Sequence, residues 1–228
     1  MAISKNYTAK DIEVLEGLAP VRKRPGMYIG GTDETAYHHL ANEILDNSID
    51  EAVAGYAKTI SVKLISKNTI SISDDGRGIP IDKHPKKKKT ALEVVMTTLH
   101  SGGKFNNNIY KSSAGLHGVG LSVVNALSSK LNIKITKNSK IFDQDYSKGK
   151  VLNKIKLKGK NKIKSGTQIT FSPDPEIFGK ELNFKPEKIY ELSKNKAYLQ
   201  RGVRINWECN KSLLNRKSQV PSKETLIF

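Results

Sequence analysis

One stretch constrains this chain more than any other. Ala114-Gly115-Leu116-His117-Gly118-Val119-Gly120 runs directly into Leu121-Ser122-Val123-Val124-Asn125-Ala126-Leu127. Glycine lets a ligand approach the main chain closely, and the apolar run reads as a helix. A helix starting just after such a loop directs unpaired N–H groups and a positive dipole end at whatever sits there. That is the physics of a phosphate site. A flexible loop before an ordinary core helix fits these residues equally well, so the rest of the chain has to decide.

Residues 1–10 read as an extended arm, with Tyr7 its only large group. Residues 11–18 fit a short helix through Ile12, Val14, Leu15 and Leu18. A turn-rich basic stretch follows, Val21-Arg22-Lys23-Arg24-Pro25-Gly26-Met27-Tyr28-Ile29-Gly30-Gly31. Residues 35–54 give the clearest helix, with Leu40, Ile44, Ile49 and Val53 on its apolar face. Its other side is unusual. Glu43, Asn47 and Asp50 fall at spacings of four and three, so carboxylate, amide and carboxylate share a stripe. A solvated face explains such a stripe in most helices, but here no lysine interleaves it. In a cleft, Glu43 suits a general base on water and Asn47 a ligand to a hard cation.

Residues 58–65 and 69–73 alternate as strands about a Lys67-Asn68 turn. The second strand runs into Asp74-Asp75-Gly76-Arg77-Gly78-Ile79-Pro80. The pleat sends Asp74 and Asp75 opposite ways, so one carboxylate is placed to accept from an amino group in a pocket floor. Lys86 to Lys89 form an exposed basic loop, and residues 91–99 read as helix. Residues 101–115 form a long Gly, Asn and Ser loop around Lys104, Tyr110 and Lys111, a pattern typical of lids or disorder. Beyond the 119–128 helix, strands are expected at 131–136, 140–146, 150–157 and 168–171. A helix follows at 186–199, with Ile189, Leu192 and Tyr198 inward, then a closing strand at 203–207.

The net charge of +17 suits a partner carrying phosphates. Lysine also fills unremarkable segments such as residues 154–164, so a composition bias explains the charge as well. The single cysteine, Cys209, excludes an internal disulfide and reads as a buried spectator. There is no secretion-type apolar region and no run of 18 apolar residues, which predicts a cytoplasmic, membrane-free protein.

The motifs together resemble a known family. Glu43-x-x-Asp46-Asn47-x-x-Asp50-Glu51, Asp74-x-Gly76-x-Gly78 and Gly115-x-His117-Gly118-x-Gly120, in that order, look like the three nucleotide boxes of the GHKL ATPases. Arg22 to Gly30, His100-x-Gly102-Gly103-Lys104-Phe105 and Leu116 to Leu127 narrow the resemblance to bacterial type IIA DNA topoisomerase B subunits. Ile12 to Leu18, Pro20-Val21 and Tyr28 to Thr32 look closer to the topoisomerase IV branch than to the gyrase branch.

The resemblance implies an α+β fold, a two-layer α/β sandwich with a mixed, mostly antiparallel sheet backed by helices. Residues 11–207 would form the ATPase domain, with a lid at about 100–120. Residues 208–228 would be a polar tail leading to a second subdomain. ATP and Mg²⁺ are the implied cofactors. Glu43 would polarise the attacking water, and Asn47, beside Asp50, would hold Mg²⁺. Asp74 would accept the adenine amino group with Thr167 beside it, and Gly78, Ile79 and Pro80 would border the ring. Lys104 and the amides from Gly115 through Leu116, His117, Gly118 and Val119 to Gly120 would bind phosphates. Tyr110 would contact the nucleotide, and Tyr7 would reach the nucleotide of a second protomer. Arg77 would lie at the pocket mouth, where the family's inhibitors stack. Lys137 stands where gyrase relatives often carry an arginine facing Arg77.

The implied partners are a second copy of the same chain, the topoisomerase A subunit in an A2B2 assembly, and double-stranded DNA. The resemblance places a further γ-phosphate lysine in the following subdomain, so the fragment alone is expected to hydrolyse ATP weakly and stay mostly monomeric. Two other functions fit parts of the sequence. One is a GHKL protein used for protein remodelling or signalling, although none of the five histidines sits in a dimerisation helix as a kinase requires. The other is a basic nucleic-acid-binding module, which leaves the three motifs unexplained.

Overall fold

The computed structural model describes residues 8–103, 118–215 and 218–228. The longest helix, α3 (Glu34–Val53), follows two short ones, α1 (Ala19–Lys23) and α2 (Gly26–Ile29). The Asp33 side chain accepts from the Ala36 N–H and caps α3 at its start. Strands β1 (Thr59–Ser66) and β2 (Thr69–Asp74) come next, then α4 (Ala91–Thr97) and α5 (Gly120–Ala126). Strands β3 (Ser128–Lys137), β4 (Lys140–Ser147), β5 (Lys150–Val151), β6 (Lys156–Lys160) and β7 (Ser165–Pro173) follow. The chain continues through α6 (Pro175–Phe178), α7 (Pro186–Leu199), β8 (Arg204–Cys209) and β9 (Lys223–Leu226).

These strands form one open sheet in the order β5-β4-β3-β7-β2-β1-β8-β9, with β6 added beside β4. The β1–β8 pair is parallel and the other pairs are antiparallel. Strand alternation explains why the sheet has one wet face and one dry face. Ile60, Val62 and Leu64 of β1 are buried, as are Ile133 and Ile135 of β3 and Ile205 and Trp207 of β8. The intervening residues are polar. On that open face Lys63 pairs with Glu208 at 2.8 Å, and Ser71 bonds Gln168 and Thr170.

Helices α3, α5 and α7 cover the apolar face. Leu40, Ile44, Leu45 and Ile49 of α3 pack there, and removing one such side chain costs about 2–5 kcal/mol. The result is the expected two-layer α+β sandwich.

Several local expectations differ from the structure. The helix expected at 11–18 is absent. Gly17 adopts φ +60, Ile12 and Val14 are exposed, and only Leu18 of that segment is buried. The basic stretch that follows, read as turns, contains α1 and α2, helped by Pro20 in the first turn of α1. The strand expected at 150–157 is split into β5 and β6. Tyr198, expected inward on α7, is 68% exposed and meets Phe228 edge-on. Residues 208–228 are not a plain tail, because β9 pairs with β8 and extends the sheet. Cys209 is buried at the end of β8, as expected.

Candidate functional site

Residues 39–51 of α3, the end of β2, the first half of β7, α4 and the start of α5 surround a cavity of about 1150 Å³. Its floor is apolar, with Ile44, Ile72, Val123 and Ile169 among the lining residues. Polar groups from each of the three motifs enter it, as a ligand site requires.

From α3 come Glu43 and Asn47, one turn apart. The Asn47 Nδ2 donates to the Glu43 carbonyl at 2.7 Å, which sets the orientation of the amide. His39, one turn before Glu43, brings Nε2 to 3.2 Å from Glu43 Oε1. The Glu43 hydrogen bond favours the His39 imidazolium, raising its pKa against the opposing effect of burial. Asp46 accepts from Asn42 Nδ2 at 2.8 Å and is ion-paired to Lys196 of α7. Asp50, one turn beyond Asn47, is fully buried and does not line the cavity.

From the end of β2 comes Asp74. Gly76 N–H donates to its Oδ1 at 3.0 Å and Ser48 Oγ to its Oδ2 at 3.1 Å. Burial outweighs these bonds and pushes its pKa up to about 7. Register places Thr167 of β7 directly opposite Asp74. Asp75 points away, as the pleat requires, and its Oδ1 accepts from Lys58 and Thr59 N–H. Past the strand, Gly78, Ile79 and Pro80 line the cavity. Gly78 takes φ +73 against the backbone oxygens of Thr136 and Gly166, where a side chain would be both strained and crowded.

Arg77 is held between Glu51 and Tyr56. Its Nη2 meets Glu51 Oε1 at 2.7 Å and its Nε meets Oε2 at 3.1 Å. The guanidinium carbon lies 3.7 Å from the centre of the Tyr56 ring. Lys137 pairs with Asp82 at 3.2 Å.

From the glycine stretch, Gly118, Val119 and Gly120 line the cavity. A Cβ on Gly120 would collide with the Glu43 carboxylate. The acidic helix stripe and the glycine hinge therefore touch, at the point where α5 begins. Tyr7, Lys104, Tyr110, Gly115, Leu116 and His117 lie outside the described residues, while His100 to Gly103, at the start of the expected lid, line the cavity.

The residues that sequence reasoning missed are His39, Ser48 and Glu51. His39 and Glu43 are an i, i+4 pair on a clearly periodic helix, so that signal was available. Glu51 stood in the motif but not among the binding residues, and its role depends on Arg77 folding back onto α3. Ser48 had no sequence signal, since only the tertiary fold carries it to Asp74. Among the described residues no cluster of three or more His, Cys, Asp or Glu is arranged to hold a metal. A cation here would rest on the Asn47 amide and on ligand oxygens, the usual habit of Mg²⁺. No helix of the described residues is long and apolar enough to cross a membrane.

Residues 32–177 match the family described as histidine kinase-, DNA gyrase B-, and HSP90-like ATPase. The B subunit of DNA topoisomerase 4 from Rickettsia felis is 58% identical over 99% of this chain and 34% of its own length. Its counterpart of the same name from Caulobacter vibrioides is 55% identical over 97% of this chain and 32% of its own. The B subunit of DNA gyrase from Thermotoga maritima is 47% identical over 90% and 32%. The chain thus spans about a third of the length of these relatives. The crystal structure of the 43K ATPase domain of Thermus thermophilus gyrase B, in complex with an aminocoumarin, superposes with a TM-score of 0.78 at 40% identity. That match covers 92% of this chain and 51% of the other. The chain belongs to the family of histidine kinase-, DNA gyrase B- and HSP90-like ATPases.

Proposed function

We propose that this chain is the ATP-binding and hydrolysing part of a type IIA DNA topoisomerase B subunit, of the topoisomerase IV kind. ATP binding would close a dimer of two such chains, and the closed dimer, working with A subunits, would carry out DNA strand passage. The observation that carries the reading is the meeting of Glu43, Asp74 and Gly120 around one cavity. The higher identity to the topoisomerase 4 relatives than to gyrase B favours the topoisomerase IV branch.

The residues divide the chemistry. The Asp74 carboxylate accepts the adenine amino N–H, and Thr167 stands opposite it. Gly78 lets the chain pass close to the ring, with Ile79 and Pro80 as its apolar border. Glu43 takes the proton of the attacking water, a role worth about 10²–10⁴-fold in such sites. His39 holds that carboxylate in place. Asn47 presents its amide oxygen to Mg²⁺, which neutralises charge across the phosphates when bound. Gly120 lies against Glu43, so the amides at 118–120 would face the terminal phosphate. Lys104, Tyr110, the residues Gly115 to His117 and the partner-reaching Tyr7 keep the roles the resemblance implies. Asp50, buried and outside the cavity lining, does not face the nucleotide in this reading.

The test is ATP turnover by the full-length protein assembled with its A subunit. Added duplex DNA should raise turnover, and Glu43→Ala should abolish it while nucleotide still binds. Turnover indifferent to DNA would point instead to a GHKL protein that remodels or signals to proteins.

A further inference from the structure

Lysine is common throughout this chain, but it is not evenly matched by acid. Lys137 and Lys140 are register partners at the tip of the β3–β4 hairpin. Lys140 in turn faces Lys160 across the β4–β6 ladder. The β6–β7 connection adds Lys162 and Lys164. It is tied to the hairpin tip by Ser139 N–H to the Lys164 carbonyl at 2.9 Å and Asn161 N–H to the Ser139 carbonyl at 2.8 Å. On the other flank Lys137 reaches Asp82 at 3.2 Å, which brings in loop 82–89. That loop carries Lys83 and the run 86–89.

Segments 82–89, 137–140 and 160–164 together hold ten lysines and one carboxylate, Asp82. Within the described residues only Lys137 and Lys89 of these have an acid within ion-pair distance, Asp82 and Glu93. Composition bias would scatter cations over the surface; here the fold gathers them at one end of the sheet. Like charges set opposite each other, as at Lys140 and Lys160, oppose folding. Lysines on the exposed edge strand β6 discourage edge-to-edge pairing, but that purpose accounts for neither of the two loops.

We propose that this end of the sheet docks the phosphate backbone of duplex DNA. Lysine is a compact point charge that contacts phosphate without reading sequence. The three segments contain no Phe, Tyr or Trp on which bases of a single strand would stack. The inference rests on the reading that the enzyme acts on DNA, and it adds where on this domain that DNA lies.

The test measures anisotropy of a labelled duplex of mixed sequence, about 30 base pairs long, with the 228-residue chain between about 50 and 200 mM salt. The variant K140Q/K160Q/K162Q/K164Q avoids the cavity-lining Lys87. It should lose affinity about tenfold or more, and its log K against log salt slope should fall by about 3–4. The matching arginine variant should bind like the parent, which separates charge from folding. A control, K58Q/K180Q/K194Q/K211Q, removes exposed lysines elsewhere and should change little. Equal losses in patch and control variants would overturn the proposal. So would parent-like binding by the patch variant, or a preference for single strands or phosphatidylglycerol vesicles over duplex. Binding of a non-hydrolysable ATP analogue should be unchanged by the patch variant. Turnover that ignores DNA while the patch still binds it would sink the functional reading and leave this one standing.

Discussion

His39 Nε2 and Glu43 Oε1 lie 3.2 Å apart, one turn of α3 separating them at the edge of the cavity. The imidazole placed there holds the Glu43 carboxyl group and limits its rotation. The pair links the helix geometry directly to the proposed chemistry.

Donating its Nε2–H to the Glu43 carboxylate raises the His39 pKa. Its contribution to stability is therefore full below the ordinary histidine value, about 6.5, and is lost as pH rises through the raised value. NMR titration of the imidazole should find His39 titrating above that ordinary value. In Glu43→Gln the His39 pKa should fall back toward it. An unchanged His39 titration in that variant would remove the pairing from the account.

Asp74 behaves in the same direction for a different cause. Burial raises its pKa to about 7, so its contribution favours the folded state at low pH and is lost as pH rises from about 4 toward 7. The ionised carboxylate is the stronger acceptor for the adenine amino N–H. Nucleotide affinity should therefore rise between pH 6 and 8 more in the parent than in Asp74→Asn. That variant should also bind about 1.5–3 kcal/mol more weakly by calorimetry. Equal affinity would place the adenine elsewhere.

Gly120 tests the contact between two motifs. A Cβ there meets the far end of the flexible Glu43 side chain and not backbone. Gly120→Ala should therefore fold well, with a melting point within about 4 °C of the parent. It should nevertheless turn Glu43 away from its water and cut turnover of the full-length enzyme by about a hundredfold or more. Normal turnover would show that Glu43 need not lie against the start of α5.

What was legible in the sequence follows physical lines. Helix α3 was readable because its apolar period and its acidic stripe are both local. The opposed directions of Asp74 and Asp75 follow from the pleat alone, and the structure has them so. The Ser48 bond to Asp74 joins residues 26 apart and needed the fold. The Glu51–Arg77 clamp was hidden for the same reason. The expected helix at 11–18 was misread because Ile12 and Val14 are exposed and only Leu18 reaches the core, and α1 and α2 were missed because helices of so few residues have almost no period. Strand β9 was missed because Lys223 and Glu224 look like tail, whereas only its pairing with β8 makes it a strand.

The central claim is one nucleotide cavity built by three motifs. The most direct measurement is a thermal-shift titration of this chain with a non-hydrolysable ATP analogue, with and without Mg²⁺. At a hundredfold excess over Kd the analogue should stabilise the chain by about 2.7 kcal/mol, or roughly 5–10 °C. The shift should shrink without Mg²⁺ and shrink again in Asp74→Asn. No shift at saturating analogue, or the same shift in Asp74→Asn as in the parent, would contradict the account.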